Sequence, residues 1–208
     1  LTIKSFIKRG GHYVFSSSIL SKLAGFVLSI VIVRILSEET FGNISYALSI
    51  MMILIPLSGM GLHHSLLRFG AIEPSSQRKN KLFNIFAKYG LSTSLVMVAV
   101  LILLSGIITT QLPDSQKYLL IFSPLLATFF ISELIFSYFR AQKNNKDYSW
   151  GMFLKAILLL VVCVGLSLAI GGSGYVAGYV VVPLLVSIFM FFKGRRLYSI
   201  GKDSDELL

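Results

Sequence analysis

The chain has 208 residues, 55% hydrophobic and only 13% charged, with a mean hydropathy of +0.79 and a formal net charge of +10. A soluble domain carries about a quarter charged residues, so a surface wetted on all sides is excluded. The basic excess, 19 Lys+Arg against 9 Asp+Glu, lies between apolar runs and not on one aromatic-rich face, which excludes a nucleic-acid footprint.

Residues 1–13 place Lys4 and Lys8 on one helical face, with Ile3, Phe6 and Ile7 largely elsewhere. They read as an amphipathic segment lying on an anionic cytoplasmic leaflet. A bilayer core of about 30 Å takes roughly 20 apolar residues as a helix, because every backbone polar group must be satisfied internally. Six segments meet that requirement: 14–36, 44–62, 83–108 (apolar from Tyr89), 118–138, 152–170 and 175–192. The expected fold class is all-α, a polytopic bundle of six transmembrane helices over residues 14–193, followed by a cytoplasmic polar tail at 194–208. The connections leave no room for a soluble domain. The first apolar run is too long for a signal peptide and ends at Arg34, not at a small-residue cleavage site. A chain beginning at Leu1 is expected to be a fragment or to use an alternative start. The lone Cys163 lies inside an apolar run, so no disulfide framework is expected.

With the N-terminus inside, the cytoplasmic side collects fourteen basic residues (Lys4, Lys8, Arg9, Arg68, Arg78, Lys79, Lys81, Arg140, Lys143, Lys146, Lys193, Arg195, Arg196 and Lys202), and the outside keeps Arg34 and Lys117. The positive-inside rule then sets both termini in the cytoplasm. The stretch from Val33 to Gly42 becomes the first outer turn, with Gly42 expected to supply the reversal. Arg34 is an interfacial anchor whose guanidinium snorkels out of lipid, or a functional residue. Glu38 stands four residues on, in the weaker order for a helical pair.

Several chemical motifs fail on context. Gly172 to Ala177 spells G-x-G-x-x-A, but no βαβ unit surrounds it and no acid follows at the distance a dinucleotide site needs. Gly174 and Gly178 instead suggest close helix packing in a hairpin turning at 171–174. His63 and His64 are adjacent and point apart on a helix, a poor metal pair. With no P-loop and no nucleophile–base arrangement, neither an enzyme nor a metal site is expected.

Polarity within the spans carries the functional signal. Ser18, Lys22, Gly25 and Ser29 recur at helical spacing in the first span, and Ser45, Ser49, Met52, Pro56, Gly59 and His63 in the second. Glu133, Ser137 and Arg140 share a face of the fourth. Small polar stripes suit a helix–helix seam, whereas a charge at depth costs at least about 2.5 kcal/mol and persists only against protein or water. Lys22 and Glu133 are both deep on the cytoplasmic side and are expected to pair across a hydrated passage. Lys155 and Lys88, near the ends of their predicted spans, are explained by snorkelling. Pro56, Pro124 and Pro183 are expected to kink the second, fourth and sixth spans.

The stretch from Val33 to Gly42 resembles the "ARxLGPExYG" turn of bacterial polysaccharide flippases, with Ser37 and Glu38 departing from glycine and proline. Gly59 to Leu62 with Leu66 to Phe69 is similar to their "GLGLxxALLRF" segment, and Phe139 to Gln142 with Tyr148 to "FRAxxxxxxY". Together these resemble Wzx-type O-antigen and polysaccharide exporters of the MOP superfamily, which includes the MATE drug exporters. The resemblance implies a flippase turning undecaprenyl-diphosphate-linked oligosaccharide toward the outer leaflet, with this chain as one lobe and a second lobe or polysaccharide polymerase and assembly proteins as partners. It implies basic residues for the diphosphate: Lys22 first, then Arg34, Arg68 and Arg140. The depth of Glu133 marks it as a coupling-ion candidate. Membrane lipids are further expected partners; no cofactor is expected, with a proton or sodium gradient as the driving force. Two rivals share the composition: a MATE-like small-molecule exporter, and a non-transporting scaffold of a polysaccharide assembly complex.

Overall fold

The computed structural model describes the backbone of residues 11–203 and side chains through residue 194. Most of the expected amphipathic segment, and the tail beyond 203, lie outside the described residues. The elements in order are α1 (Gly11–Ile35), α2 (Glu38–Leu54), a 3-10 segment (Ile55–Gly61), α3 (Leu62–Ile72), α4 (Ser76–Ile108), α5 (Ser115–Phe122), α6 (Leu125–Ala141), α7 (Asn145–Ile170) and α8 (Gly172–Asp203). Taken across their breaks they make six helical passes long and apolar enough to cross a membrane.

Capping residues decide where the passes start. The expected reversal at Gly42 is corrected: Gly42 lies inside α2, and the chain turns at Leu36–Ser37. Ser37 caps α2, its hydroxyl accepting from the Thr40 amide, and Glu38 and Glu39 in the first turn complement the helix dipole. Because α1 ends at Ile35, Arg34 and Glu38 sit on different helices and the four-residue spacing loses its meaning. Ser75 caps α4 in the same way, and Asn144 caps α7 by accepting from the Asp147 amide at 3.2 Å. These caps start the third and fifth passes at Ser76 and Asn145, ahead of the predicted 83 and 152. The last helix continues to Asp203, well past the expected 192.

Two prolines coincide with breaks and one does not. Pro56 opens the 3-10 segment, where Gly59, Met60 and Gly61 all take left-handed φ values of 61°, 51° and 70°. Pro124 separates α5 from α6. At Pro183, where the sequence suggested an interruption, α8 runs on, and the Ser187 hydroxyl donates to the Pro183 carbonyl.

The central element is α6, most of whose residues are buried. Between lipid-immersed helices packing, not water exclusion, drives association, and small residues set the approach. Phe130 of α6, fully buried, is clamped between Gly59 and Gly90: a Cβ on either glycine would collide with its ring. The hairpin of α7 and α8 turns on Gly171, and Gly174 and Gly178 lie against Leu166 and Cys163 of α7 so closely that a side chain would clash. Leu28 and Ile32 of α1, Ile44, Ala47 and Met51 of α2, and Phe122 and Leu126 share one apolar core. Consecutive helices are not always neighbours: α1 packs on α7, while α2 packs on α5 and the break region.

Candidate functional site

The serines of the first stripe satisfy themselves. Ser18 donates to the Val14 carbonyl at 2.8 Å and Ser29 to the Phe26 carbonyl at 2.8 Å, so neither needs a partner helix. Lys22 has no such local acceptor. It stands eleven residues beyond Gly11 in a 25-residue helix, about 16 Å along its axis, and is exposed together with Gly25 and Ser29. The stripe is therefore not a seam within this bundle. It faces away from α7.

The second stripe does not hold one face. Ser49, Met52 and Pro56 are exposed, whereas Gly59 and His63 are buried. The left-handed residues rotate α3 relative to α2 and turn the stripe inward. His63 packs edge-on against Phe130 with ring centroids 6.4 Å apart, and its buried Nδ1 has no hydrogen-bond partner among the described residues.

The expected pairing of Lys22 with Glu133 is corrected. Glu133 of α6 pairs with Lys155 of α7, Nζ to Oε1 at 3.3 Å, with side chains 29% and 17% exposed. The Lys155 ammonium also donates to the Ser132 hydroxyl at 3.3 Å and lies 5.4 Å from the ring centroids of both Phe129 and Phe136. Snorkelling does not explain it: counted from Asn145, Lys155 is about 15 Å into its helix. Glu133 is about 12 Å from the Ala141 end of its own. The Asn144 cap was the sequence signal for this depth. The apolar run alone hid it, since polar first turns are invisible to hydropathy. The carboxylate of Glu133 also lies within electrostatic reach of His63 on α3.

The remaining candidates are spread along the bundle. Arg34 is exposed in the last turn of α1. Arg68 and Arg140 are exposed near the other end, with guanidinium carbons 5.9 Å from the Phe69 ring and 5.4 Å from the Tyr148 ring. No contact joins Lys22, Arg34, Arg68 and Arg140, so they sample different depths and do not form one cluster. Near the Arg140 end, polar ties missed by sequence reasoning bind α4 to α6. Tyr138 donates to Asn80 Oδ1 at 2.6 Å and Lys79 reaches the Ala141 carbonyl at 3.4 Å, while Gln142, one turn further along the same segment, donates to the Tyr138 hydroxyl at 3.0 Å. Lys193 of α8 bridges to Asp147 of α7 at 2.7 Å, its ammonium 4.8 Å from the Trp150 ring. Among the described residues no cluster of three or more metal-ligating side chains forms.

A family model described as "Polysaccharide biosynthesis protein" matches residues 7–203. No curated protein matches the chain. A solved structure described as "Lipid II flippase MurJ, inward closed conformation" is similar in fold, with a TM-score of 0.74 and 16% sequence identity over 87% of this chain. This chain spans 41% of the length of that structure.

Proposed function

The chain belongs to the polysaccharide biosynthesis protein family, and from that premise we propose that it forms one lobe of a flippase for lipid-linked glycans. The cargo is undecaprenyl-diphosphate-linked oligosaccharide, carried from the inner to the outer leaflet of a bacterial cell membrane for O-antigen or capsule synthesis. Both termini face the cytoplasm, and the second lobe packs opposite α1. The protein moves its cargo without making or breaking bonds in it. Its likeness in fold to a lipid II flippase supports this.

The observation that carries the proposal is Lys22. Its charge stands midway along an apolar helix and points away from the bundle. Facing hydrocarbon it would cost at least about 2.5 kcal/mol, so its neighbours are water or a facing polar surface. A hydrated groove between two lobes provides both, and a cationic wall there offsets the desolvation of a diphosphate that hydrocarbon would reject. Arg68 and Arg140 receive the anionic head at the cytoplasmic end, and Arg34 meets it at the outer end. Glu133 carries the coupling ion: protonating it, or placing Na+ beside it, releases Lys155 and changes how α6 is held to α7.

The test is complementation of a gene deletion by the full transporter, with protein level monitored. Wild-type protein restores surface polysaccharide, and Lys22→Ala restores far less at equal abundance. Undiminished export by Lys22→Ala removes Lys22 from the cargo path. A deletion that leaves surface polysaccharide intact but raises drug susceptibility would replace the glycan with a small-molecule cargo.

A further inference from the structure

At the end of the bundle opposite the basic residues of α3 and α6, a cavity of about 610 Å3 opens between the start of α2 and the segment leading into α5. That volume falls within the roughly 300–1,000 Å3 of small-molecule sites. Its walls are unlike the rest of the bundle. Glu39, Thr40 and Asn43 contribute from α2, and Asp114, Gln116 and Lys117 from the other side.

Asn43 carries the inference. It is only 8% exposed, and what surface it keeps lines this cavity. Among the described residues its amide makes no hydrogen bond. Its amide is not sealed off, so the hydrogen bonds it lacks within the protein are open to whatever occupies the cavity. Of the neighbours, Gln116 donates its amide nitrogen to the Ser105 hydroxyl at 3.4 Å and Thr40 accepts from the Ser37 hydroxyl at 2.9 Å, which leaves the two acids uncommitted. Neither the Glu39 nor the Asp114 carboxylate forms an ion pair within the bundle, and the Lys117 ammonium rests 4.9 Å from the Tyr118 ring centroid.

We propose that this cavity binds a neutral, polyhydroxylated sugar at the outer face of the membrane. Carboxylates and the Asn43 and Gln116 amide oxygens accept from sugar hydroxyls, while the Asn43 amide nitrogen and the Lys117 ammonium donate to them. Two carboxylates against one ammonium leave the site net negative, so it repels a diphosphate and selects the sugar end of a lipid-linked cargo. The inference rests on the flippase reading, in which the site holds the head group after it has crossed. Cations in the membrane interior handle the anionic part, and this outer pocket handles the glycan.

The experiment uses the full transporter in nanodiscs, titrated with glucose, galactose, N-acetylglucosamine and diacetylchitobiose by saturation-transfer NMR, with CaCl2 titrated separately. At least one sugar should bind. Asn43→Leu should weaken that binding by about tenfold, the equivalent of one lost hydrogen-bonded contact, with an unchanged or raised melting temperature. Asp114→Asn, at an exposed position, should also weaken binding and serves if the Asn43 variant does not fold. The proposal is overturned if no sugar in the panel binds, if Asn43→Leu and Asp114→Asn both bind as tightly as wild type, or if only Ca2+ binds. Flipping by the same protein in proteoliposomes separates the two readings. Sugar binding without flipping sinks the transport function, and flipping without sugar binding sinks this site alone.

Discussion

Replacing Lys155 with methionine keeps the length and apolar stem of the side chain and removes its charge, leaving the Glu133 carboxylate without its partner. At 3.3 Å the two unit charges attract by about 5 kcal/mol if the effective dielectric is near 20. Losing one partner of a fully buried pair costs roughly 3–5 kcal/mol. The Glu133 side chain is 29% exposed, so solvent recovers part of that, and about 2–3 kcal/mol of destabilisation is expected. The two lost ammonium–ring contacts, with Phe129 and Phe136, contribute a further part of order 1 kcal/mol. The assay is a double-mutant cycle in detergent micelles, comparing Lys155→Met, Glu133→Gln and the double variant by chemical unfolding. The double variant should be more stable than Lys155→Met alone, because no unpaired charge remains. If Lys155→Met and the double variant are equally stable, or the coupling energy is under about 0.5 kcal/mol, the pair is an incidental surface contact. The coupling role proposed for Glu133 then falls with it.

Two further outcomes follow from the packing and from the exposed stripe. Gly90→Ala should destabilise the bundle by about 1–3 kcal/mol, since its methyl would collide with the buried Phe130 ring; a melting temperature unchanged from wild type would contradict the clamp. In a background lacking Cys163, single cysteines at Lys22, Gly25 and Ser29 should react with a membrane-impermeant maleimide in the full transporter, and cysteines at Leu28 and Ile32 should not. Equal silence at all five positions would place the stripe against lipid or a dry partner.

Much of the candidate site was legible because charge in an apolar run is conspicuous. Lys22 and Glu133 stood out, and both occupy the interior of membrane-length passes. Lys155 was misjudged because a hydropathy boundary was taken for a helix boundary. The Asn144 cap sets the true start, and it shows as a capping pattern, not as an apolar residue. The Glu39–Asp114 cavity was invisible for a different reason. Its walls come from segments about seventy residues apart in the chain, and no periodicity within either one announces the other. Asn43 carries no charge and belongs to neither polar stripe, so nothing in the sequence marks it, and only the fold buries it beside the cavity.

Six membrane passes and an all-helical class followed from the sequence by itself, because hydrocarbon forces backbone polar groups to pair within each segment. Which helices touch, which way a stripe faces and which acid answers which lysine depended on the tertiary structure alone. Lipid is as apolar as leucine, so the length and hydropathy of a segment carry no preference for one neighbour over another. That choice fell to close-fitting contacts among distant residues: Gly59 and Gly90 around Phe130, and Gly178 against Cys163. The left-handed turn at Gly59, Met60 and Gly61 rotated a polar face inward partway along its pass.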